Sequence, residues 1–308
     1  MKIVFFGTDD FAQVHLQALI DANHRIVGCV TPPDRAKGRG WKVQFSPVKD
    51  CARQHGLTLC QPPVLQENSF IEELKTMCAD LFIVIAYGKM IPKTILEIPP
   101  QGVLNVHNSL LPKYRGAAPI HWAIINGEKE TGISIIEVND VLDGGDILAQ
   151  KRIEILDQDT SITLREKMKQ KGPKILLETI DAIQQEKSQK EVQDPSQVTL
   201  APKLTKELGH IQWDKQAFEI HNLVRGLLPW PSAYTYYKER LLKILRTDVV
   251  GSDACGSPGE VIEMTKEGFV VATGKGNVLV KEVHLESSKA MKAQSFIAGH
   301  ALEKGFRF

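Results

Sequence analysis

Asn105 and His107 stand one residue apart at the end of an apolar segment, in the stretch NVHNSLLPKYRGAAP. Amide and imidazole side chains are poor choices for a buried strand unless they face a polar group. Because side chains alternate along a strand, these two lie on one face and Val106 lies on the other. The pair therefore predicts a polar site at the end of a strand.

A carboxylate for this pair comes from the segment VLDGGDIL, which follows the next predicted strand and offers Asp143 and Asp146 in a glycine-rich turn. Such a set suits the attack of an amine on a carbonyl carbon: the amide donates to the developing oxyanion, the imidazole moves protons, and the carboxylate orients the imidazole. The sequence has no G-x-S-x-G elbow, which favours direct transfer over a covalent acyl-enzyme. A structural histidine beside an ordinary turn is the alternative interpretation.

The elements that must position these residues are predicted from apolar runs. Ile3–Phe6 and Leu81–Tyr87 are continuous apolar runs that end at glycine, as buried parallel strands do. Further strands, GVLNVH and TGISIIEV, flank a helical stretch near residues 120–125. This alternation predicts a Rossmann-like, doubly wound α/β domain with a mainly parallel sheet, whose ligand crevice lies beyond the carboxyl ends of the strands.

A nicotinamide site is not expected in this domain, because FFGTDDF supplies one glycine where the dinucleotide fingerprint needs three. Asp9 or Asp10 is predicted to cap the first helix. A later helix that begins near Thr160 is predicted to break or kink at Gly172–Pro173.

The pattern changes in the second half of the chain. A polar, proline-containing segment without periodicity predicts a linker, and after it come a short amphipathic helix and five strand candidates joined in part by TKEG and GKG turns. Five short strands predict a small OB-like β-barrel. The predicted division is a catalytic domain at 1–187, a linker at 188–204 and an OB-like domain at 205–308.

Composition limits the function classes. The chain has 308 residues, 43% of them hydrophobic, and a net charge of +1, which indicates a soluble globular protein and gives no argument for a polyanionic partner. Its five cysteines include no C-x-x-C spacing, so free thiols in a reducing cytosol are expected and no metal site is. The N-terminal apolar run of four residues is too short for a signal peptide or membrane span. A cytoplasmic protein without membrane contact is therefore expected.

The loop DRAKGRGWKVQFSPVK, residues 34–49, is locally basic, with five basic residues and one acidic residue. It follows a further predicted strand, RIVGCVT at residues 25–31, and leaves the carboxyl end of that strand on the same side of the sheet as the predicted polar site. Contact with a phosphate backbone and an ordinary solvated surface are both consistent with this composition.

NVHNSLLPKYRGAAP together with ETGISIIEVNDVLDGGDIL resembles the 10-formyltetrahydrofolate-dependent formyltransferases. The resemblance implies a catalytic trio of Asn105, His107 and Asp143, and 10-formyltetrahydrofolate as the formyl donor. It also implies a folate pocket lined by two segments: Ser109, Leu110, Leu111 and Pro112, and Ile85, Ala86, Tyr87 and Gly88.

PDRAKGRG, SPVK and the later APKLTKE…IQWDK…IHNLVRGLLPWPSAYT resemble the branch of this family whose acceptor is methionyl-initiator tRNA. This resemblance implies a role in translation initiation and a monomeric enzyme, with Arg39 reaching the acceptor end of the tRNA. The implied tRNA contacts are Arg35, Lys37, Arg39, Lys42, Lys203 and Lys206. Formylation of a sugar-nucleotide amine, hydrolysis of 10-formyltetrahydrofolate and non-enzymatic RNA binding are the alternatives.

Three positions depart from the family pattern. Asp9 stands where the family usually has proline, and Asn108 stands where it has a small residue. Near the end of the chain, VHLESSKAMKA follows the family only loosely. The first two positions adjoin the predicted site, so an altered loop geometry is expected there.

Overall fold

The structure is a computed structural model that describes residues 1–37, 42–251 and 256–308. It divides into two compact units: Met1–Gly116, Gly132–Ile153 and Glu166–Leu200 form unit 1, and Ala117–Thr131, Glu154–Arg165 and Ala201–Phe308 form unit 2. The domain boundaries given above remain a prediction.

The described strands and helices follow one another in the order β1 Lys2–Gly7, α1 Asp10–Asp21, β2 Arg25–Val30, β3 Arg35–Lys37, β4 Lys42–Gln44, α2 Pro47–Gln54, β5 Leu59–Cys60, α3 Asn68–Thr76, β6 Leu81–Ile85, α4 Lys93–Leu96, β7 Val103–His107, β8 Arg115–Gly116, α5 Pro119–Ile125, β9 Glu130–Glu137, β10 Ile147–Glu154, α6 Ser161–Gln184, β11 Leu200–Ala201, α7 Ala217–Gly226, β12 Ala233–Tyr237, β13 Arg240–Val250, β14 Val261–Met264, β15 Phe269–Ala272, β16 Asn277–Leu285, β17 Met291–Lys292 and α8 Ala293–His300. Two 3₁₀ helices, Pro195–Gln197 and Glu207–Gly209, complete the set.

Unit 1 is built on a sheet with the strand order β10-β9-β7-β6-β1-β2-β5. The pairs from β5 through β2, β1 and β6 to β7 are parallel, and β9 runs antiparallel to β7. The predicted mainly parallel sheet is confirmed. The apolar runs of β1 and β6 are fully buried, as expected for central strands covered on both faces.

Helix α1 begins at the cap that the sequence predicts. The Asp9 carboxylate accepts a hydrogen bond from the Ala12 amide at 3.0 Å and so satisfies one of the free N–H groups at the start of the helix. At this position aspartate thus supplies a cap that proline could not supply.

Helix α6 differs from the prediction. It runs without a break from Ser161 to Gln184, with Pro173 inside it, so the predicted break at Gly172–Pro173 is wrong, and a kink there stays a prediction. Packing explains the glycine: a Cβ at position 172 would lie 2.4 Å from Nε2 of His15 on α1. Tertiary contact with α1 therefore takes precedence over the local helix-breaking signal.

Unit 2 contains an antiparallel sheet with the order β12-β13-β16-β15-β14, and β17 pairs with β16. Strands β12 to β16 correspond to the five candidates seen in the sequence, and β17 is a further short strand of two residues. Their inward side chains and those of α7 and α8 form one apolar core that includes Val224, Phe269 and Phe296. Among the described residues, no helix is both long and apolar enough to cross a membrane.

Candidate active site

The carboxyl end of β7 carries Asn105 and His107, in the middle of the unit 1 sheet. Asn105 is opposite Val84 of β6, and His107 is opposite Ser134 of β9. Asn105 is half-buried, and His107 is 6% exposed. The sheet therefore fixes the main chain of both residues from its two sides.

Asp143 brings its carboxylate to this strand end. One oxygen, Oδ1, lies 3.4 Å from Nδ2 of Asn105 and 3.6 Å from Nδ1 of His107. The other oxygen, Oδ2, accepts a hydrogen bond from the Gly116 amide at 2.8 Å. The structure thus brings the three predicted residues together around one carboxylate, and their catalytic roles remain a prediction.

The ring of His107 is held by its second nitrogen. Nε2 lies 2.9 Å from the main-chain oxygen of Tyr114, an acceptor only, so Nε2 carries a proton and donates it to that oxygen. Nδ1, which faces Asp143, is then the nitrogen that can take up or release a proton. Tyr114 adopts a left-handed conformation, with φ of 62°, and sequence reasoning gave no signal for its role.

The segment Ser109–Pro112 follows directly. Ser134 ties this segment to β9: its hydroxyl donates to the Ser109 carbonyl at 2.7 Å and accepts from the Leu111 amide at 3.1 Å. Ser109 and Leu111 are buried, whereas Leu110 and Pro112 are half-buried and keep some exposed surface. In this segment, Leu110 and Pro112 are therefore the residues with surface to offer a ligand.

The end of β6 forms a turn with exposed main chain. Ala86 and Gly88 have positive φ angles of 47° and 81° and are exposed, while Ile85 is fully buried. Tyr87 points inward, with its ring 5.6 Å from that of Phe6 in an edge-on arrangement. Burial raises the pKa of the Tyr87 phenol to about 12, and its hydroxyl oxygen has no hydrogen-bond partner among the described residues.

Asn108, one of the departures from the family pattern, lies next to the trio. Its side-chain oxygen is buried and makes no hydrogen bond within the described part of the chain. The amide thus adds an unsatisfied acceptor beside the trio.

The basic loop is closed at its base. Lys49 places Nζ 2.5 Å from Oδ2 of Asp34 and 2.8 Å from Oε1 of Gln61. The interaction with Lys49 lowers the pKa of the Asp34 carboxyl. This ion pair joins residues fifteen positions apart and therefore fixes where the loop leaves and rejoins unit 1.

The predicted tRNA contacts are distributed over both units. Arg35 and Lys37 belong to β3 and Lys42 belongs to β4, and these two strands form an antiparallel hairpin within the loop. Arg39 lies outside the described residues. Lys203 and Lys206 are exposed in unit 2. Their contacts with tRNA remain predictions.

Comparison with known protein families gives two matches. The family described as "Formyl transferase" matches residues 1–180, and "Formyl transferase, C-terminal domain" matches residues 203–301. The chain belongs to the formyl transferase family. The first match includes the whole trio, and the second begins beside the junction at which the pattern of the sequence changes.

Full-length relatives of this formyl transferase are named methionyl-tRNA formyltransferase. The relative from Alkaliphilus oremlandii (strain OhILAs) is 41% identical, over 99% of this chain and 98% of its own length. The relative from Clostridioides difficile (strain 630) is 42% identical over 99% of both chains. The relative from Thermodesulfovibrio yellowstonii is 44% identical, over 98% of this chain and 97% of its own length.

Solved structures of other proteins share the fold. WlaRD, a sugar 3N-formyl transferase, superposes with a TM-score of 0.69 at 20% identity, over 94% of this chain and 99% of its own. HypX from Aquifex aeolicus, solved with tetrahydrofolic acid, gives a TM-score of 0.65 at 17% identity over 96% of this chain. This chain spans about half of HypX, 47% of its length. At these identities the likeness supports the fold alone.

Proposed function

We propose that this formyl transferase moves the formyl group of 10-formyltetrahydrofolate to the amine of methionyl-initiator tRNA, as a cytoplasmic monomer acting in translation initiation. The observation that carries the proposal is the convergence of Asn105 and His107 on one carboxylate oxygen of Asp143. The names of the full-length relatives support the choice of acceptor.

The chemistry follows from the donors and acceptors at this strand end. The neutral amine attacks the formyl carbon, a new C–N bond forms, and the carbonyl electrons move to oxygen. The Nδ2 amide of Asn105 and a protonated Nδ1 of His107 then stabilise the oxyanion. Collapse of this intermediate breaks the bond between the formyl carbon and N10 of the folate, and Asp143 helps pass the amine proton to that nitrogen.

The donor would occupy the turn after β6 and the segment after β7. The exposed main chain of Ala86 and Gly88 can pair with the polar edge of a pterin, since a turn outside the strand ladder leaves N–H and C=O groups available. Leu110 and Pro112 supply half-buried apolar surface on the next strand end. This position beyond the carboxyl ends of β6 and β7 is where parallel sheets bind ligands.

The acceptor would be held in part by the basic loop. The ion pair of Lys49 with Asp34 fixes the base of the loop on unit 1, and the other four basic residues of the loop lie between these two positions in the sequence. Guanidinium and ammonium groups bind phosphate oxygens and position a nucleic acid without reading its bases. Selection of the initiator species is therefore not assigned to this loop.

The test measures formyl transfer from 10-formyltetrahydrofolate to methionylated initiator and elongator tRNA, with free formate followed in parallel. Formylation confined to the initiator species supports the proposal. Release of formate without formyl-tRNA would contradict it and favour the hydrolase alternative. Formylation of a dTDP-amino sugar in place of methionyl-tRNA would favour the sugar-nucleotide alternative.

Arg39→Ala tests the loop separately. We expect a rise of about tenfold in the KM for tRNA and no change in the KM for the folate, because lost phosphate contacts weaken only the acceptor. Lys171→Ala, at an exposed position on α6, is the control and should leave both KM values unchanged. An unchanged KM for tRNA in Arg39→Ala would mean that Arg39 makes no contact with the tRNA and that the loop is an ordinary solvated surface.

A further inference from the structure

Gln193 is a buried glutamine in the segment that the sequence predicts to be a linker. Gln193 is 5% exposed, and both polar atoms of its side-chain amide have hydrogen-bond partners. Oε1 accepts from Nε and Nη2 of Arg115 at 3.0 and 2.7 Å. Nε2 donates to the main-chain oxygens of Asp143 at 2.8 Å and Gly145 at 2.7 Å. Both donors and both lone pairs of the amide are therefore used.

The turn that receives these hydrogen bonds has a demanding main chain. Asp143 adopts a left-handed φ of 49°, which is unfavourable for a residue with a side chain. Gly145 is pressed against β9, because a Cβ there would lie 1.6 Å from the Glu137 oxygen. Such a turn needs contacts from its surroundings to hold its conformation.

Two consecutive residues of one strand provide those contacts. Gly116 donates its amide directly to the Asp143 carboxylate at 2.8 Å. Its neighbour Arg115 acts through Gln193, which holds the main chain of the same aspartate. The carboxylate and the backbone of Asp143 are thus anchored to β8 by separate routes.

We propose that Gln193 is a positioning residue for catalysis: it holds the Asp143 turn in the conformation that places Oδ1 between Asn105 and His107. The inference rests on the proposed function, because it gives Asp143 a catalytic role. Without the amide, the main-chain oxygens of Asp143 and Gly145 and the guanidinium of Arg115 lose these partners, and the left-handed turn can relax. The hydrogen bonds of Gln193 to the Asp143 turn go to main-chain oxygens, those of Asp143 and Gly145, so it acts through the main chain of the turn.

Two substitutions separate this role from simple packing. Gln193→Leu removes every hydrogen bond of the amide. Gln193→Glu keeps the shape and an acceptor for Arg115 but removes the donors to the turn. We expect each variant to lower kcat by on the order of ten- to hundredfold, as small misplacements of catalytic groups do, with the KM values for folate and tRNA within twofold of wild type. Wild-type kcat in Gln193→Glu would overturn the inference.

A double-mutant cycle provides a second readout. If Gln193 acts through Asp143, then Gln193→Leu should cause no further loss of kcat, within twofold, in an Asp143→Asn background. If the double variant instead shows the product of the kcat losses of the two single variants, then the inference is overturned. Gln17→Leu, which removes a half-buried amide bonded to Asp21 and His55 on another face of unit 1, is the matched control and should keep the wild-type kcat.

A measurement without substrate keeps the inference distinct from the proposed function. In protein labelled with ¹⁵N-histidine, the ring signals of His107, assigned with His107→Gln, should move in Gln193→Leu and Gln193→Glu but not in Gln17→Leu. Unmoved signals would overturn the positioning role whichever acceptor the enzyme uses. A wild-type enzyme that forms no formyl-tRNA would refute the proposed function and leave this spectroscopic result to decide on Gln193.

Discussion

His107 and His15 are two buried histidines of unit 1, 6% and 0% exposed, and at first sight their surroundings are alike. Each brings one ring nitrogen to a main-chain oxygen: Nε2 of His107 lies 2.9 Å from the Tyr114 oxygen, and Nδ1 of His15 lies 2.7 Å from the Phe11 oxygen. The two histidines differ in what lies beside the other ring nitrogen. That of His107 faces the Asp143 carboxylate at 3.6 Å, whereas Nε2 of His15 has no hydrogen-bond partner among the described residues.

This difference separates a histidine that can do chemistry from one that packs. Burial lowers the pKa of His15 to about 4, although the hydrogen bond to the Phe11 oxygen opposes this shift, so the ring stays neutral at physiological pH and fills space against α6. The second nitrogen of His107 lies beside the Asp143 carboxylate, which the Asn105 amide also approaches, at the carboxyl end of β7. Burial alone therefore does not identify a catalytic histidine, and the surroundings of its second nitrogen do.

Replacing each histidine in turn should show the difference between them most clearly, as a difference in kcat. We expect His107→Gln to lower kcat on the order of a thousandfold, about 4 kcal/mol, since a positioned acid–base group contributes this much. His15→Leu should leave kcat within twofold of wild type, because His15 touches no member of the trio. Single-turnover formyl transfer measures both. Equal losses in the two variants would mean that the trio has no special role.

Asn105→Ala should give the next largest effect. It removes an amide donor aimed at the developing oxyanion, a change that costs ~3 kcal/mol, or about a hundredfold in kcat. The KM for methionyl-tRNA should change little, because the interaction strengthens only as charge develops. Asn105→Asp, which keeps the shape and loses the donor, is the matched variant and should be at least as slow. Activity within a few-fold of wild type in Asn105→Ala would contradict an oxyanion role.

Part of the site geometry could be predicted from strand periodicity, because period-two alternation placed Asn105 and His107 on one face. The rule that ligands bind beyond the carboxyl ends of parallel strands does not account for Asp143. Strand β9 runs antiparallel to β7, with Glu137 opposite Leu104, so its carboxyl end lies at the other edge of the sheet, and the loop after β9 brings Asp143 back to the end of β7. The distinction between Asp143 and Asp146 came from resemblance, since both occupy the same glycine-rich turn.

The rest depended on contacts that leave no local pattern. Gln193 lies fifty residues after Asp143, in a polar segment without periodicity, so nothing in its neighbourhood marks it as buried. The Tyr114 oxygen is a main-chain group, which every residue possesses. The unbroken α6 could not be predicted because Gly172–Pro173 is a local helix-breaking signal, and the packing of Gly172 against His15 appears only in three dimensions.

The burial of His15 should make the free energy of unfolding depend on pH. Its pKa is about 4 in the folded protein and 6.5 in an unperturbed chain, so the unfolded chain binds more protons between these values. The stabilisation is therefore complete above pH 6.5 and is lost as the pH falls towards 4, by up to about 3 kcal/mol.

Urea unfolding at pH 7 and pH 4.5 measures this effect. His15→Leu should lose about 2 kcal/mol less than wild type over that interval. The control, His55→Gln, alters an exposed histidine and should follow the wild type. A His15→Leu variant with the full wild-type acid dependence would assign the effect to other groups.

Gly172→Ala should have the smallest effect, and it tests the packing function of His15 directly. A Cβ at this position would lie 2.4 Å from Nε2 and 2.9 Å from Cε1 of His15, closer than atoms can pack, so we expect a loss of about 2 kcal/mol in the free energy of unfolding with kcat unchanged. Gly299→Ala is the matched control on α8, where a Cβ meets nothing within 4 Å. It should be neutral or stabilising by up to ~1 kcal/mol, the helix propensity difference between the two residues.

Shortening the partner side chain sharpens this test. In a His15→Ala background the imidazole is gone, so Gly172→Ala should cost little, and the two changes should be strongly non-additive. If Gly172→Ala costs the same with and without the imidazole, then the glycine is required by the main chain of α6 beside Pro173. His15 would in that case only fill the space that the glycine leaves.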